Sequence, residues 1–169
     1  MSDRKYSRAQ IALHWLSAFY IVWALIMGFS VSLFQVTAEF KATVAAINIS
    51  LATLFIPFFI IRLYLRYQFI RKRLPKSAEP LVSFIHNLIY LIISLVLVSG
   101  VLMMDRPIEV FNLLTLPQPI HDPAWLTGFK KVHLLSNSLL GGLISLHVLA
   151  VIKHEWAGTR VLRRMTFKE

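Results

Sequence analysis

Six histidines, His14, His86, His121, His133, His147 and His154, carry most of the chemistry available to a chain that has no cysteine. Four of them, His14, His86, His133 and His147, interrupt stretches free of any charged residue. An ionisable group at membrane depth is costly and marks a functional site by default. His133 and His147 lie 14 residues apart. On a helix that spacing is roughly 1400°, about 40° short of four turns, so both rings share one face about 21 Å apart along the axis. Two imidazoles placed this way can bind two stacked cofactors inside a helical bundle. Gly141 and Gly142 between them either leave room for such a group or let helices pack closely.

A buried metal centre needs a second ligand from a facing helix. His14 lies about 10 Å inside the first apolar stretch, and His147 lies at a similar depth in the last. His86 enters the third stretch at a comparable level, so depth leaves both His14 and His86 open as partners of His147. Iron in haem accepts axial imidazoles, and its flat apolar ring suits a bundle interior. No carboxylate accompanies the intramembrane histidines, which argues against a di-iron site or a zinc hydrolase. Without cysteine the haem would be b-type and non-covalent. Two axial histidines fill both positions on the iron and favour electron transfer.

The elements that hold these residues are four uncharged stretches: Ile11–Phe34, Ala42–Ile61, Pro80–Met104 and Val132–Ile152, of 24, 20, 25 and 21 residues. Each can cross a hydrocarbon core of about 30 Å as a helix, and in lipid the backbone must satisfy its own hydrogen bonds. The spans are expected at about 9–34, 42–64, 80–104 and 132–154 of one domain covering 1–169. The fold class is all-α, an integral membrane antiparallel four-helix bundle. The first stretch is too long for a cleaved signal peptide. Ser7-Arg8-Ala9-Gln10 fits a capping box that starts its helix.

With 57% hydrophobic and 15% charged residues, mean hydropathy +0.65, the chain departs from soluble composition. The net charge of +10 sits in the connections, 14 Lys and Arg on one side against Lys41, Arg106, Lys130 and Lys131 on the other. The positive-inside rule then puts both termini in the cytoplasm. This placement fits topology and lipid contact, not nucleic acid. Gln35–Lys41 is short enough to make the first two spans antiparallel neighbours. Arg62–Glu79 forms a basic link with Pro75 and Pro80. Asp105–Lys131 is a long outer link in which Val110–Leu116 can lie along the membrane surface.

Three segments together resemble the bacterial cytochrome b561 family. They are Tyr6-Ser7-Arg8-Ala9-Gln10-Ile11-Ala12-Leu13-His14-Trp15-Leu16, then His86-Asn87-Leu88-Ile89-Tyr90-Leu91 with Gly100-Val101-Leu102-Met103-Met104. The third is the ending, with His147, His154 and Val161-Leu162-Arg163-Arg164-Met165. The similarity runs from about Tyr6 to Met165. It implies a four-helix bacterial inner-membrane protein that holds two b haems and passes electrons to or from quinone. One branch of the family oxidises superoxide at the outer face and reduces ubiquinone. Carried over by position, His14 and His147 match the inner haem ligands and His133 matches one outer ligand.

The fourth ligand position, in Ile47-Asn48-Ile49-Ser50, is Asn48 here. The second span contains no histidine, methionine or cysteine to replace it. The outer haem is then lost, five-coordinate on His133, or held by a residue such as His121, with Asn48 free to hydrogen-bond His133 instead. His86 is expected near quinone or a propionate if it is not a ligand. Arg8 suits a propionate. Lys153 and His154 belong to the inner surface, Met103 and Met104 to packing, and Trp15, Trp23, Trp125 and Trp156 to interfaces.

The resulting expectation is a b-type haem protein carrying electrons between a quinone pool and another donor or acceptor, with one haem per chain. Two alternatives stand beside it: a superoxide:ubiquinone oxidoreductase, and a non-catalytic electron-transfer subunit that docks a periplasmic redox protein through Asp105–Lys131.

Overall fold

A computed structural model describes residues 6–71 and 80–166. Four helices dominate it: α1 (Arg8–Leu33), α2 (Ala38–Arg71), α3 (Pro80–Leu102) and α4 (Pro123–Trp156). All four are long and apolar enough to cross a membrane. Large apolar side chains such as Phe19 (77% exposed) and Leu135 (71%) face outward, as a lipid-facing surface requires. The protein is therefore a multi-pass membrane protein built as an antiparallel four-helix bundle.

The capping box at Ser7 forms as expected. Ser7 Oγ accepts the Gln10 N–H at 3.2 Å, and Gln10 Oε1 accepts the Ser7 N–H at 2.9 Å. At the start of α4, Asp122 caps the N–H groups of Ala124 and Trp125, with Pro123 following directly. Proline at the first helical position loses only an N–H that had no partner there. This cap starts α4 at Pro123, well before the expected 132. α2 likewise continues through Arg71, past the expected end near 64, because no proline or glycine interrupts 58–71. Arg62 and Arg66, read from sequence as part of a connecting link, are thus helical residues. The rest of that link, with Lys72, Arg73, Pro75 and Lys76, lies outside the described residues, as do Arg4, Lys5 and Lys168.

α1 packs along α2 and α3 along α4, while α2 and α3 approach each other at few places. One apolar core joins the pairs: Ile21 from α1, Phe55 and Phe59 from α2, Ile89, Ile92 and Ile93 from α3, and Leu140 and Leu143 from α4. Hydroxyls inside the bundle return to their own helices. Ser17 donates to Leu13 O, Ser94 to Tyr90 O, Ser99 to Leu95 O and Thr53 to Ile49 O. The Trp15 indole N–H donates to Met165 O at 2.8 Å, tying the start of α1 to a short 3-10 turn (Val161–Met165) after α4. That end carries Arg8, Arg62, Arg66, Arg71, Lys153, Arg160 and Arg163, and is called the basic end below.

At the opposite end the 110–116 stretch does not run as a single surface segment. Strands β1 (Ile108–Val110) and β2 (Leu114–Leu116) pair antiparallel, Ile108 opposite Leu116. Phe111 and Asn112 take left-handed φ of 49° and 57° to make the turn, which Leu113 N–H closes onto Val110 O at 2.9 Å. Ile108 and Val110 are buried with Met104, against Ile49 of α2. Buried Ser50 strips the hairpin of two free backbone groups, donating to Glu109 O at 3.2 Å and accepting from Phe111 N–H at 3.0 Å. Met104 is thus a packing residue, as the sequence reading held.

Ser50→Ala removes both bonds and leaves the Phe111 N–H without its partner. A buried hydrogen bond is worth about 1 kcal/mol and an unsatisfied donor more. Hydrogen exchange at Phe111 is expected to accelerate roughly tenfold, while far-ultraviolet dichroism keeps its helical content.

Candidate functional site

At the basic end three helices bring three imidazoles to one level. His86 on α3 and His147 on α4 meet edge to face, ring centroids 5.4 Å apart. His14 on α1 lies within electrostatic reach of both. Its Nδ1 accepts from the Arg62 guanidinium at 3.0 Å. Arginine has no acceptor, so neutral His14 in this arrangement carries its proton on Nε2. His86 is held the other way round, its Nδ1–H donating to Val82 O at 2.7 Å, which leaves Nε2 with its lone pair. A carbonyl on one ring nitrogen is the usual support for a histidine that ligates metal through the other.

Arg62 and Arg66 are four residues apart on α2 and share a face. Both guanidiniums lie over the Tyr90 ring of α3, 5.1 and 4.6 Å from its centroid. Arg62 Nε also donates to Tyr90 Oη at 3.0 Å, and Arg66 donates to Asn87 Oδ1 at 2.6 Å. These four residues were not singled out as a site from sequence. The signal was present in the four-residue spacing directly after an apolar stretch, but it becomes visible only once α2 is known to continue.

His133, at the other end of α4, is embedded in α3. Its Nδ1–H points to Val96 O at 3.0 Å and to Ser99 Oγ at 3.2 Å. The ring rests on Gly100, where a Cβ would come within 3.1 Å of Cε1. Nε2 keeps its lone pair, as in His86. Asn48 does not form the bond to His133 that the sequence allowed; the His133 Nδ1–H is directed to α3 instead. Asn48 Oδ1 is buried without any partner. His121 is exposed in the loop before α4, and His154 and Lys153 are exposed in its last turn. Trp125 stacks on Phe129 at 6.0 Å, and Trp156 is 88% exposed.

The donor chemistry at the basic end fits axial ligation of haem: several imidazoles at one level, from different helices, in an apolar bundle. The other end does not fit a bis-histidine site. His133 has no imidazole partner from α2, and the orphaned amide oxygen of Asn48 is a poor ligand for haem iron. Between the ends, the midplane cavity bordered by Tyr20, Phe55, Ile93 and Leu140 is about 30 Å³, room for about one water.

A family model described as prokaryotic cytochrome b561 matches residues 5–168. The chain therefore belongs to the prokaryotic cytochrome b561 family, membrane electron-transfer proteins that bind b-type haem. No curated relative matches the chain.

The glycine beneath His133 gives a test of that packing. Gly100→Ala pushes a methyl against the ring, whereas Gly142→Ala meets nothing within 4 Å. The first is expected to shift the His133 side-chain nitrogen resonances and to cost about 1 kcal/mol of thermal stability relative to the second. Equal melting and equal spectra for the two variants would remove the packing role.

Proposed function

We propose that this cytochrome b561 family member carries one b haem at its basic end and passes electrons between a membrane quinone pool and a second donor or acceptor. The observation that supports this is the asymmetry of the imidazoles, three at one level against a solitary His133 beside an orphaned Asn48. His14 and His147 are the axial ligands in this reading, as their positions in the family pattern imply, and His86 stands beside them as a polar neighbour. When bound, the haem supplies a one-electron couple. The chain holds it through paired imidazoles, and the surrounding apolar side chains exclude water from it.

For His14 to ligate through Nε2, its proton must reside on Nδ1, and Arg62 must turn its N–H to another acceptor. His86 already has its proton on the carbonyl side, so it is the direct competitor for the same coordination position. The basic end is assigned to the cytoplasmic face of the bacterial inner membrane by the distribution of Lys and Arg. Quinone would approach this end. The hairpin end, without a bis-histidine site, is a poor entry point for electrons from superoxide, even though Lys130 and Lys131 draw anions toward it.

Pyridine haemochrome quantification on purified protein is expected to give one b haem per chain, and an absence of haem overturns the reading. His14→Ala and His147→Ala should each yield high-spin or haem-free protein, and His86→Ala should keep a low-spin spectrum with an altered potential. Low-spin haem retained in His14→Ala but lost in His86→Ala would reverse the ligand assignment. Superoxide-driven haem reduction is expected to be no faster than with an albumin control.

A further inference from the structure

The two arginines at the basic end carry more positive charge than anything around them answers. Both guanidiniums remain charged at any physiological pH, and both lie against one tyrosine ring. Their hydrogen-bond partners are all neutral: His14 and Tyr90 for Arg62, Asn87 for Arg66. Among the described residues the carboxylates are Glu39, Asp105, Glu109, Asp122 and Glu155. The first four belong to the hairpin end of the bundle, and Glu155 accepts the Leu162 N–H at 3.2 Å. Each guanidinium has five N–H donors; these contacts use two on Arg62 and one on Arg66.

Two like charges are thus held about 5 Å from one ring, with donors to spare and, among the described residues, no carboxylate bonded to them. In a site of reduced dielectric their repulsion is substantial. Cation–π attraction to Tyr90 offsets only part of it. An oxyanion placed between the two forks relieves the repulsion and uses the free donors in charge-assisted bonds.

The His14 contact adds a second, independent reason. Arg62 donating to Nδ1 fixes the tautomer that closes Nε2, so a ligating His14 needs Arg62 to turn to a different acceptor. A carboxylate at the same level is such an acceptor. We propose that Arg62 and Arg66 form a two-guanidinium receptor, supported by Tyr90 and Asn87, for the propionate carboxylates of the haem, and that occupying it frees His14 to ligate. This deepens the haem assignment above and rests on it. A lipid-headgroup phosphate offers the same oxyanion chemistry from another source, and the experiment below separates the two.

The test compares iron protoporphyrin IX with its dimethyl ester, in which both carboxylates are blocked. Each is added to apoprotein in neutral-detergent micelles and again in phosphatidylglycerol vesicles. Wild-type protein is expected to bind the free acid at least about tenfold more tightly than the ester, each charge-assisted bond being worth that much or more. Arg66→Gln, which leaves the His14 contact untouched, should remove most of this preference while bound haem keeps its low-spin spectrum. Arg62→Gln should weaken the preference also, and should speed ligation of the ester by releasing His14.

Failure of wild-type protein to bind either porphyrin defeats the haem reading itself. Equal affinity for acid and ester, with low-spin haem bound in both, leaves that reading standing and overturns the receptor. A preference present in micelles but abolished by phosphatidylglycerol assigns the arginines to headgroup phosphate and overturns the propionate assignment.

Discussion

Hydrocarbon gives a buried polar side chain no water to bond, so each one must be answered by its own helix, by another helix or by a ligand. The arrangement of this bundle follows from that constraint. The serines and threonines meet it locally, by bonding carbonyls of their own helix. Some of the larger polar groups instead become the joints between helices. Arg62 is the most demanding of them, since its guanidinium spans from His14 on α1 to Tyr90 on α3. His133 joins α4 to α3 in the same manner. Apolar packing fills the middle, where all four helices contribute to one core. Polar joints therefore lie toward the two ends of a dry centre, and chemistry can be lodged there without breaking the core.

The same constraint explains what the sequence disclosed and what it withheld. Four uncharged stretches of twenty or more residues admit one fold class, and the capping residues at Ser7 place the start of α1 to within a residue. The end of α2 and the start of α4 reach beyond the expected spans because charge was used to bound them. A helix needs no lipid around its last turns, and Arg62, Arg66 and Arg71 extend α2 beyond the apolar limit. The hairpin was hidden for a different reason. Three-residue strands carry too short an alternation to distinguish from a loop, and here a tertiary bond to Ser50 holds them. Of the site, the histidine level was legible from depth alone. The ring contact between His86 and His147, and the opposed tautomers of His14 and His86, depend on side-chain partners that no spacing rule supplies.

The two ends differ in how completely their polar groups are answered. At the hairpin end, His133 has two acceptors for one N–H and rests on a glycine. Its ring is fixed against α3 while Nε2 keeps its lone pair. Asn48 is the exception, with an amide oxygen buried and unpaired. A position that resembles a ligand site in its family, occupied by asparagine, leaves just such an unanswered group. The nearby hairpin closes over this end of α2 through Ser50, two residues along the same helix. Protein packing thus meets the end of α2 that carries Asn48, where the family resemblance implies a ligand.

At the basic end the imbalance runs the other way. Polar groups there are numerous, and among the described residues no carboxylate bonds Arg62 or Arg66. Repulsion between two guanidiniums would ordinarily drive one of them out to solvent, since arginine side chains are long enough to reach it. Both are instead drawn onto Tyr90 and tied to α3. Such a site is preorganised for its ligand: the donors are aimed before binding, so little side-chain entropy is lost on binding. The charge also acts beyond the contact. Cations beside a haem favour the reduced iron, and carboxylates docked on them cancel part of that effect. Under the propionate proposal, the same two arginines would set both where the cofactor sits and how readily it accepts an electron.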